Sequence, residues 1–383
     1  MTKSRKGLSV GFLFDDTLDS TDGVAQYVKI LGAWYKSQGH KVTYLVGQSS
    51  LSEWEGGRVV SLSKNIKVVF NGNRLSMPIY SSSQRIKRAL EDAQLDVLHV
   101  QVPYSPLMAA KVIKRAHKNT VVIGTFHIYP SGFLSRHGSR LLKIWLSRNL
   151  KHFDKMLSVS SAAQEFAKSG YGLESEIIPN TLELAKFKTS VQPKLNTIVF
   201  LGRLVGRKGC LELIKAFAKL KKELPDAQLI VGGKGPDQSK LQRYVDTKKI
   251  EGVSFKGFIP EANKAEFLAQ GSVACFPSLN GECFGLVLVE AMAAGSTVVL
   301  GGDNPGYRSV LGEQEKLLIN PKDTEDFAVR LKELLSNKKI ASELNQWQQE
   351  SVKQYDVNIV GSKLVKLYRS LIDIKTKNGH NDA

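Results

Sequence analysis

The chain is short of the residues that mark several protein classes. Its 383 residues contain three cysteines, Cys210, Cys275 and Cys283, too few and too scattered for a disulfide framework or a zinc cluster. Cys275 lies in an apolar run and reads as a small core residue. So little thiol fits a reducing, cytoplasmic setting. No apolar run approaches the roughly 18 residues that a membrane span needs. The basic start, MTKSRKG, leads into an apolar stretch over 8–14 that ends at Asp15 and Asp16, too short and too soon acidic for a secretory signal. No Asp-x-Asp occurs, so a metal-bridged diphosphate site has no obvious ligands. Tandem repeats shorter than a domain are absent. With 42% hydrophobic and 23% charged residues, collagen, low complexity and wholesale disorder are excluded.

Acidic residues are also in short supply. Lys and Arg total 54 against 36 Asp and Glu, a net charge of +18 with a pI near 9.6. The excess is uneven, +12 over residues 1–190 and +6 over 191–383. Such a field attracts anions, whether nucleic acid, an anionic lipid surface or phosphorylated small molecules. A large anionic partner is expected to meet the first half.

The length favours two to three domains. In the first half, β-branched runs at 8–14, 41–46, 97–100, 121–125 and 155–159 alternate with helical patterns at 24–38, 83–93, 105–117 and 139–152. Segments 58–62 and 66–70 read as an inserted hairpin. A polar linker follows over 186–193, and the alternation restarts: strands at 197–201, 227–231, 253–256, 273–276 and 297–300, helices near 208–223, 237–248, 262–270 and 285–295. This is the pattern of parallel sheets covered on both faces. Two such halves enclose a cleft, and ligands of these sheets bind at the carboxyl ends of strands. The tail after Asp323 reads as helical, its last segment amphipathic through Ile359, Leu364, Leu367 and Leu371.

Three glycine-rich strand exits carry the chemistry. The first, 201–209 (LGRLVGRKG), follows a strand and opens a helix, so the backbone can approach a ligand and the helix N-terminus favours an anion. Arg203 and Lys208 add cations, and a phosphate or diphosphate is the natural guest; the plainer alternative is a tight turn with solvated charges. The spacing is not that of a Walker A loop. The second exit, 231–236 (VGGKGP), lacks the third glycine of G-x-G-x-x-G, which has Gln238 in its place, and speaks against a nicotinamide dehydrogenase. The third, 277–295 (PSLNGECFGLVLVEAMAAG), presents Glu282 just ahead of an apolar helix running from about 284. Glu290 lies inside that helix, where a carboxylate is costly without partners. Carboxylates accept from hydroxyls, which makes a sugar and a ribose plausible guests; a buried ion pair is the alternative for Glu290.

The pattern G-E-x-F-G-x-x-x-x-E-A-M-A-x-G, with Arg203 and Lys208 upstream, resembles the signature of family 4 retaining glycosyltransferases of the GT-B fold. Residues 278–294, 84–106 (QRIKRALEDAQLDVLHVQVPYSP) and 124–127 resemble most the phosphatidyl-myo-inositol mannosyltransferases. The resemblance implies an α/β GT-B chain of two Rossmann-like domains across a cleft: residues 1–184 facing acceptor and membrane, 185–355 binding the nucleotide sugar, and a helix over 356–383 returning to the first domain. At matching positions it implies that Glu282 holds the donor sugar's hydroxyls and Glu290 the ribose. Arg203 and Lys208 would neutralise the leaving diphosphate, helped by backbone N–H groups at Phe284, Gly285 and Leu286. His127 would face the sugar at the reaction centre, Gly23 would admit the phosphates, and Gln26 would touch the acceptor. The family has two glycines at that last loop; here the pair is Asp22 and Gly23. A lone histidine is more often structural, and His127 stands out only by its place at a strand exit.

With no metal ligands in view, two cations and a helix N-terminus must stabilise the leaving group's charge. The chemistry expected from the resemblance is therefore retaining and metal-independent, with no cofactor beyond the nucleotide-sugar donor. Arg85, Lys87 and Arg88, with Ile86 and Leu90, match a basic helix that family members use on anionic bilayers. Residues 136–152 (RHGSRLLKIWLSRNLKH) form a second basic amphipathic stretch of the kind that lies in a lipid interface; both stretches equally describe helices packed on a sheet with solvated cations. The expectation is transfer of mannose from GDP-mannose to a phosphatidylinositol-type lipid, by an enzyme peripheral to the cytoplasmic face of the membrane. A UDP-sugar-dependent enzyme making another glycolipid or a soluble glycoside is the alternative. A basic nucleic-acid binder is a remote one, since no basic motif interleaved with aromatics supports it.

Overall fold

The computed structural model describes residues 7–20, 22–70, 73–101, 103, 105, 107–129, 149–295 and 298–381. Two compact units emerge, one of Met1–Thr181 with Val357–Ala383 and one of Leu182–Asp356.

In the first unit, eight strands are ordered β10-β9-β8-β7-β1-β2-β4-β3. They are β1 Ser9–Phe14, β2 Lys41–Val46, β3 Glu53–Trp54, β4 Gly57–Ser61, β7 Val97–Gln101, β8 Val121–Phe126, β9 Lys155–Ser158 and β10 Glu176–Ile177. All pairs are parallel except β3 with β4. Counted from β1, the order reverses between β1 and β7, the switch point at which doubly wound sheets bind ligands. Every residue of β1 is buried, because each face of the sheet has its own cover. Side chains alternate across the strand: Val10, Phe12 and Phe14 join one apolar cluster, Leu13 the other. The first cluster is closed by helix α1 (Gly23–Ser37) and the C-terminal helix Val357–Asn381, the second by α2 (Ser83–Ala93) and α3 (Met108–Ile113).

Three details depart from the sequence reading. Segments 58–62 and 66–70 do not pair with each other: β4 joins the main sheet beside β2, and β5 (Lys64–Phe70) forms a separate antiparallel ribbon with β6 (Asn73–Tyr80). Helix α3 spans only Met108–Ile113. In the C-terminal helix the buried line is Val357, Val360, Leu364 and Tyr368, while Ile359 is 53% exposed. The apolar stripe follows the 3.6-residue period from Val357, with Leu367 and Leu371 at its margin. Most of 136–152, and with it the helix expected over 139–152, lies outside the described residues, as does Thr297 at the start of an expected strand.

The second unit holds six parallel strands ordered β13-β12-β11-β14-β15-β16: β11 Lys194–Leu201, β12 Gln228–Gly232, β13 Val253–Gly257, β14 Gly271–Phe276, β15 Val298–Gly302 and β16 Leu318–Ile319. Numbered within the unit this is 3-2-1-4-5-6, the dinucleotide-fold order. Its switch point lies between β11 and β14, so the exits at 202 and 277 emerge side by side.

Candidate active site

In the second unit, the loop after β11 makes one 3-10 turn, Gly206–Lys208, before the helix Cys210–Glu223. Gly209 joins them at φ +72°, and a Cβ there would lie 1.9 Å from the Pro277 carbonyl oxygen. Only glycine permits that approach, which seats the cationic turn on the exit of β14. Glu282 completes the contact. Its Oε1 accepts from Lys208 Nζ (2.8 Å), Arg207 Nη1 (2.9 Å) and Ser278 Oγ (2.9 Å). The side chain is only 12% exposed. Burial alone would raise its carboxyl; the Lys208 and Arg207 charges, with the Lys208 and Ser278 hydrogen bonds, outweigh that and hold it below the ordinary glutamate value.

The cluster has a rigid back. Tyr307 Oη donates to Ser278 Oγ (3.2 Å), and Asn304 Nδ2 donates to the Ser278 and Gly302 carbonyls (3.1 and 3.0 Å) while its Oδ1 caps the helix Pro305–Leu311 through Tyr307 N. Gly285, at φ +110°, is the N-cap of the helix Leu286–Ala294, which has no side-chain cap. A Cβ at Gly285 would strike the Tyr307 ring at 2.7 Å. The helix N-terminus formed by Gly285 and Leu286 thus opens on an anion-favouring edge. Phe284 is buried, its ring edge-on to Tyr355 (5.4 Å).

Glu290, in the same helix, is 4% exposed and has a different cation: Lys264 Nζ donates to its Oε1 (2.8 Å) and pairs also with Glu261 (2.9 Å). Burial raises the Glu290 carboxyl, an effect the Lys264 charge offsets in part. Burial would lower Lys264, but Glu290 and Glu261 raise it, so the ammonium stays charged. The two glutamates therefore occupy separate ion clusters. Lys208 contacts Glu282, and its charge is also felt by Glu290.

Of the residues expected here, Lys208, Glu282, Gly285 and Leu286 come together. Arg203 is exposed on the same loop; burial and then the Arg207 charge lower its pKa. Arg207, Ser278 and Lys264 were not among the expected site residues, while Glu261 ends the loop near 257–261 expected to contact the base. Arg207 was legible as the neighbour of Lys208 in an Arg-Lys pair. Lys264 lies in the segment after β13, where sequence gives no sign of a partner 26 residues away.

In the first unit, His127 follows β8 and is 9% exposed. Its Nε2 is 2.7 Å from Gln101 Oε1, and the Tyr27 ring stands edge-on at 5.0 Å. Burial lowers its pKa to about 3, so it is neutral. Gly23 and Gln26 lie in the first turn of α1, where a Cβ at Gly23 would meet nothing within 4 Å. That helix end is capped by the chain itself: Asp22 Oδ1 accepts from Val24 N (2.9 Å) and Ala25 N (3.0 Å). Arg85, Lys87 and Arg88 are exposed on α2, whose Ile86 and Ala89 are buried in the core. Lys87 makes an exposed pair with Glu91 (3.7 Å). With its apolar face committed to the core, α2 offers a bilayer charge alone. Among the described residues, no group of three or more His, Cys, Asp or Glu is placed to hold a metal, and no helix is long and apolar enough to cross a membrane.

Comparison with known proteins agrees with this layout. The family described as Glycosyltransferase Family 4 matches residues 21–186, and that described as Glycosyl transferases group 1 matches 183–353. The chain is similar to phosphatidyl-myo-inositol mannosyltransferase of Mycolicibacterium smegmatis, 27% identical with 95% of this chain and 94% of that protein covered. It is also similar to that of Mycobacterium leprae, 28% identical with 95% and 97% covered. In three dimensions it resembles Anabaena Alr3699/HepE in complex with UDP and glucose, with TM-score 0.74, 17% identity, and 95% and 100% of the two chains covered. Two Rossmann-like units of parallel sheet and helices, matched in turn by these two families, make the chain a hexosyltransferase of the GT-B glycosyltransferases, a family 4 domain followed by a group 1 domain.

Proposed function

We propose that the chain transfers mannose from GDP-mannose to a phosphatidylinositol-type lipid at an anionic membrane surface, with retention of configuration and without a metal. The observation that carries the donor half is the Glu282 cluster: a buried carboxylate held between Arg207 and Lys208 at the switch point, beside an uncapped helix N-terminus. That edge offers cations and backbone N–H groups to a diphosphate and a carboxylate to a sugar hydroxyl. Lys208 and Arg203, with Arg207, neutralise the leaving diphosphate, and N–H groups of Phe284, Gly285 and Leu286 assist. Glu282 orients the sugar and Glu290 the ribose. His127 faces the transferred sugar, while Gly23 and Gln26 border donor phosphates and acceptor. No resident cofactor is required, because the charge that develops on the leaving group has these cations.

The lipid half is supported by the names of the mannosyltransferase relatives and by the exposed cations of α2. Each Lys or Arg near an anionic leaflet contributes about 1 kcal/mol, so three suffice for reversible docking on the cytoplasmic face. The test is nucleotide release from GDP-mannose, UDP-glucose and UDP-N-acetylglucosamine, each with and without phosphatidylinositol vesicles. Lipid-dependent GDP release is expected. Release from a UDP-sugar alone would keep the chemistry and discard the donor assignment.

A further inference from the structure

His127 is not held alone. In a parallel sheet buried on both faces, strands run nearly continuously apolar, yet β7 carries His99 and Gln101, and β8 and its exit carry Thr125 and His127. These four polar residues are 0 to 9% exposed. Each pair is two residues apart and so shares one face of its strand. The register sets Gln101 opposite Thr125, and two diagonal hydrogen bonds join the strands: His99 Nε2 with Thr125 Oγ1 (2.6 Å) and His127 Nε2 with Gln101 Oε1 (2.7 Å). The lattice is anchored from two helices. Tyr368 Oη of the C-terminal helix meets His99 Nδ1 (2.6 Å), and Tyr27 of α1 lays its ring against both imidazoles.

The roles of the Gln101 amide are fixed. Its Nε2 donates to the His99 carbonyl (3.4 Å), so Oε1 faces His127 and can only accept. His127 Nε2 must then carry the hydrogen, and Nδ1 is left as a lone pair without a partner among the described residues. A neutral ring of that tautomer accepts from a hydroxyl and offers nothing to a phosphate.

We infer that Gln101 is the positioning residue of His127: it fixes the Nε2–H tautomer so that Nδ1 accepts a hydrogen bond from a hydroxyl of the transferred sugar, making His127 a selector of sugar hydroxyl over phosphate. This rests on the reading that His127 faces the sugar. Leucine at position 101 keeps the bulk and removes the acceptor, and a loss of alignment at this level costs about 10- to 100-fold in turnover.

The experiment has two readouts on the full chain. Long-range proton–nitrogen correlation on 15N-labelled protein, with His127→Gln to assign the signal, reports the tautomer directly. The wild type is expected to show Nε2–H at His127, and Gln101→Leu to lose that single pattern. In nucleotide release, Gln101→Leu is expected to lower kcat 10- to 100-fold with the donor KM within about twofold. Gln101→Glu sets a carboxylate against the ring, so His127 takes a second proton and its acceptor is blocked. Turnover of that variant then climbs with pH where the wild type is flat, a limb that a purely structural role does not create. The groups at the ring are Tyr27 of α1 and Gln101 of β7, with His99 of β7 near enough to feel its charge; none of them supplies that limb. An Nδ1–H tautomer in the wild type, or unchanged kcat in Gln101→Leu, overturns the inference. Wild-type turnover in His127→Gln would instead overturn the reading it rests on, leaving the tautomer result intact.

Discussion

Replacing Glu282 by glutamine separates the two duties proposed for the donor edge. The carboxylate accepts from Lys208 at 2.8 Å and from Arg207 and Ser278 at 2.9 Å, so it offsets part of the positive charge that a diphosphate seeks. An anion reaching the same cations comes within about 5 Å of the carboxylate, where two like charges repel by about 3 kcal/mol at an effective dielectric of about 20. Glu282→Gln keeps the shape and removes that repulsion. Allowing for the side chain's partial exposure and for salt, GDP is expected to bind about 5- to 100-fold more tightly, a gain of about 1–3 kcal/mol. Turnover moves the other way. A sugar hydroxyl that loses a charged acceptor in the transition state loses about 1.5–3 kcal/mol, so kcat for GDP-mannose falls about 10- to 150-fold. Calorimetry with GDP and release kinetics on the same preparation measure both, and the affinity gain shrinks as ionic strength rises. Weaker GDP binding by the variant would refute the reasoning: it would mean that the carboxylate serves the diphosphate by orienting Arg207 and Lys208.

Two further perturbations test the other clusters. Lys264→Met leaves the buried Glu290 without its ammonium, and stranding one member of a buried pair costs about 3–5 kcal/mol. Because burial raises the Glu290 carboxyl, the stability it contributes is fully present below the unfolded glutamate pKa and lost as pH rises through the folded one. The variant should therefore unfold in denaturant near the wild-type midpoint in acid and well below it at pH about 8, with Glu290→Gln added on top restoring most of the loss. Neutralising Arg85, Lys87 and Arg88 together is expected to weaken co-sedimentation with anionic vesicles by about 3 kcal/mol, roughly 150-fold, at low salt. Thermal unfolding should be unchanged, since the face of α2 that holds the fold is Ile86 and Ala89. Undiminished vesicle binding would place the docking surface elsewhere.

Much of the fold was legible because the alternation of short buried strands with amphipathic helices is written locally. What local pattern cannot encode is which strand pairs with which. Segments 58–62 and 66–70 both read as β, and only the sheet decides that the first extends the parallel order beside β2 while the second leaves it. The C-terminal stripe shows the same limit at finer grain: Ile359 and Val360 are equally apolar in sequence, and packing against α1 and β1 buries the second and leaves the first in solvent. Glu282 and Lys208 were found because glycines, a helix start and charge coincide around them. Lys264 escapes the local pattern because its partner is set by tertiary closure, 26 residues away, whereas Arg207 stands beside Lys208 in the same turn. His99, Gln101 and Thr125 are polar residues in buried strands, and which of them pair across β7 and β8 is set by the sheet register.

The donor edge has a common thread in Lys208. Its ammonium touches Glu282 and its field reaches Glu290, so one cation bears on both carboxylates assigned to sugar and ribose. In the proposed site, a diphosphate that draws Lys208 and Arg207 toward itself would loosen Glu282 from those cations. The freed oxygen would then become available to a sugar hydroxyl only once the diphosphate is in place. A free hexose, lacking the diphosphate, would compete with two ion pairs for the same oxygen. On the proposed roles, the ion cluster would make recognition of the sugar conditional on the nucleotide, with selectivity for the intact donor resting on three side chains and one turn.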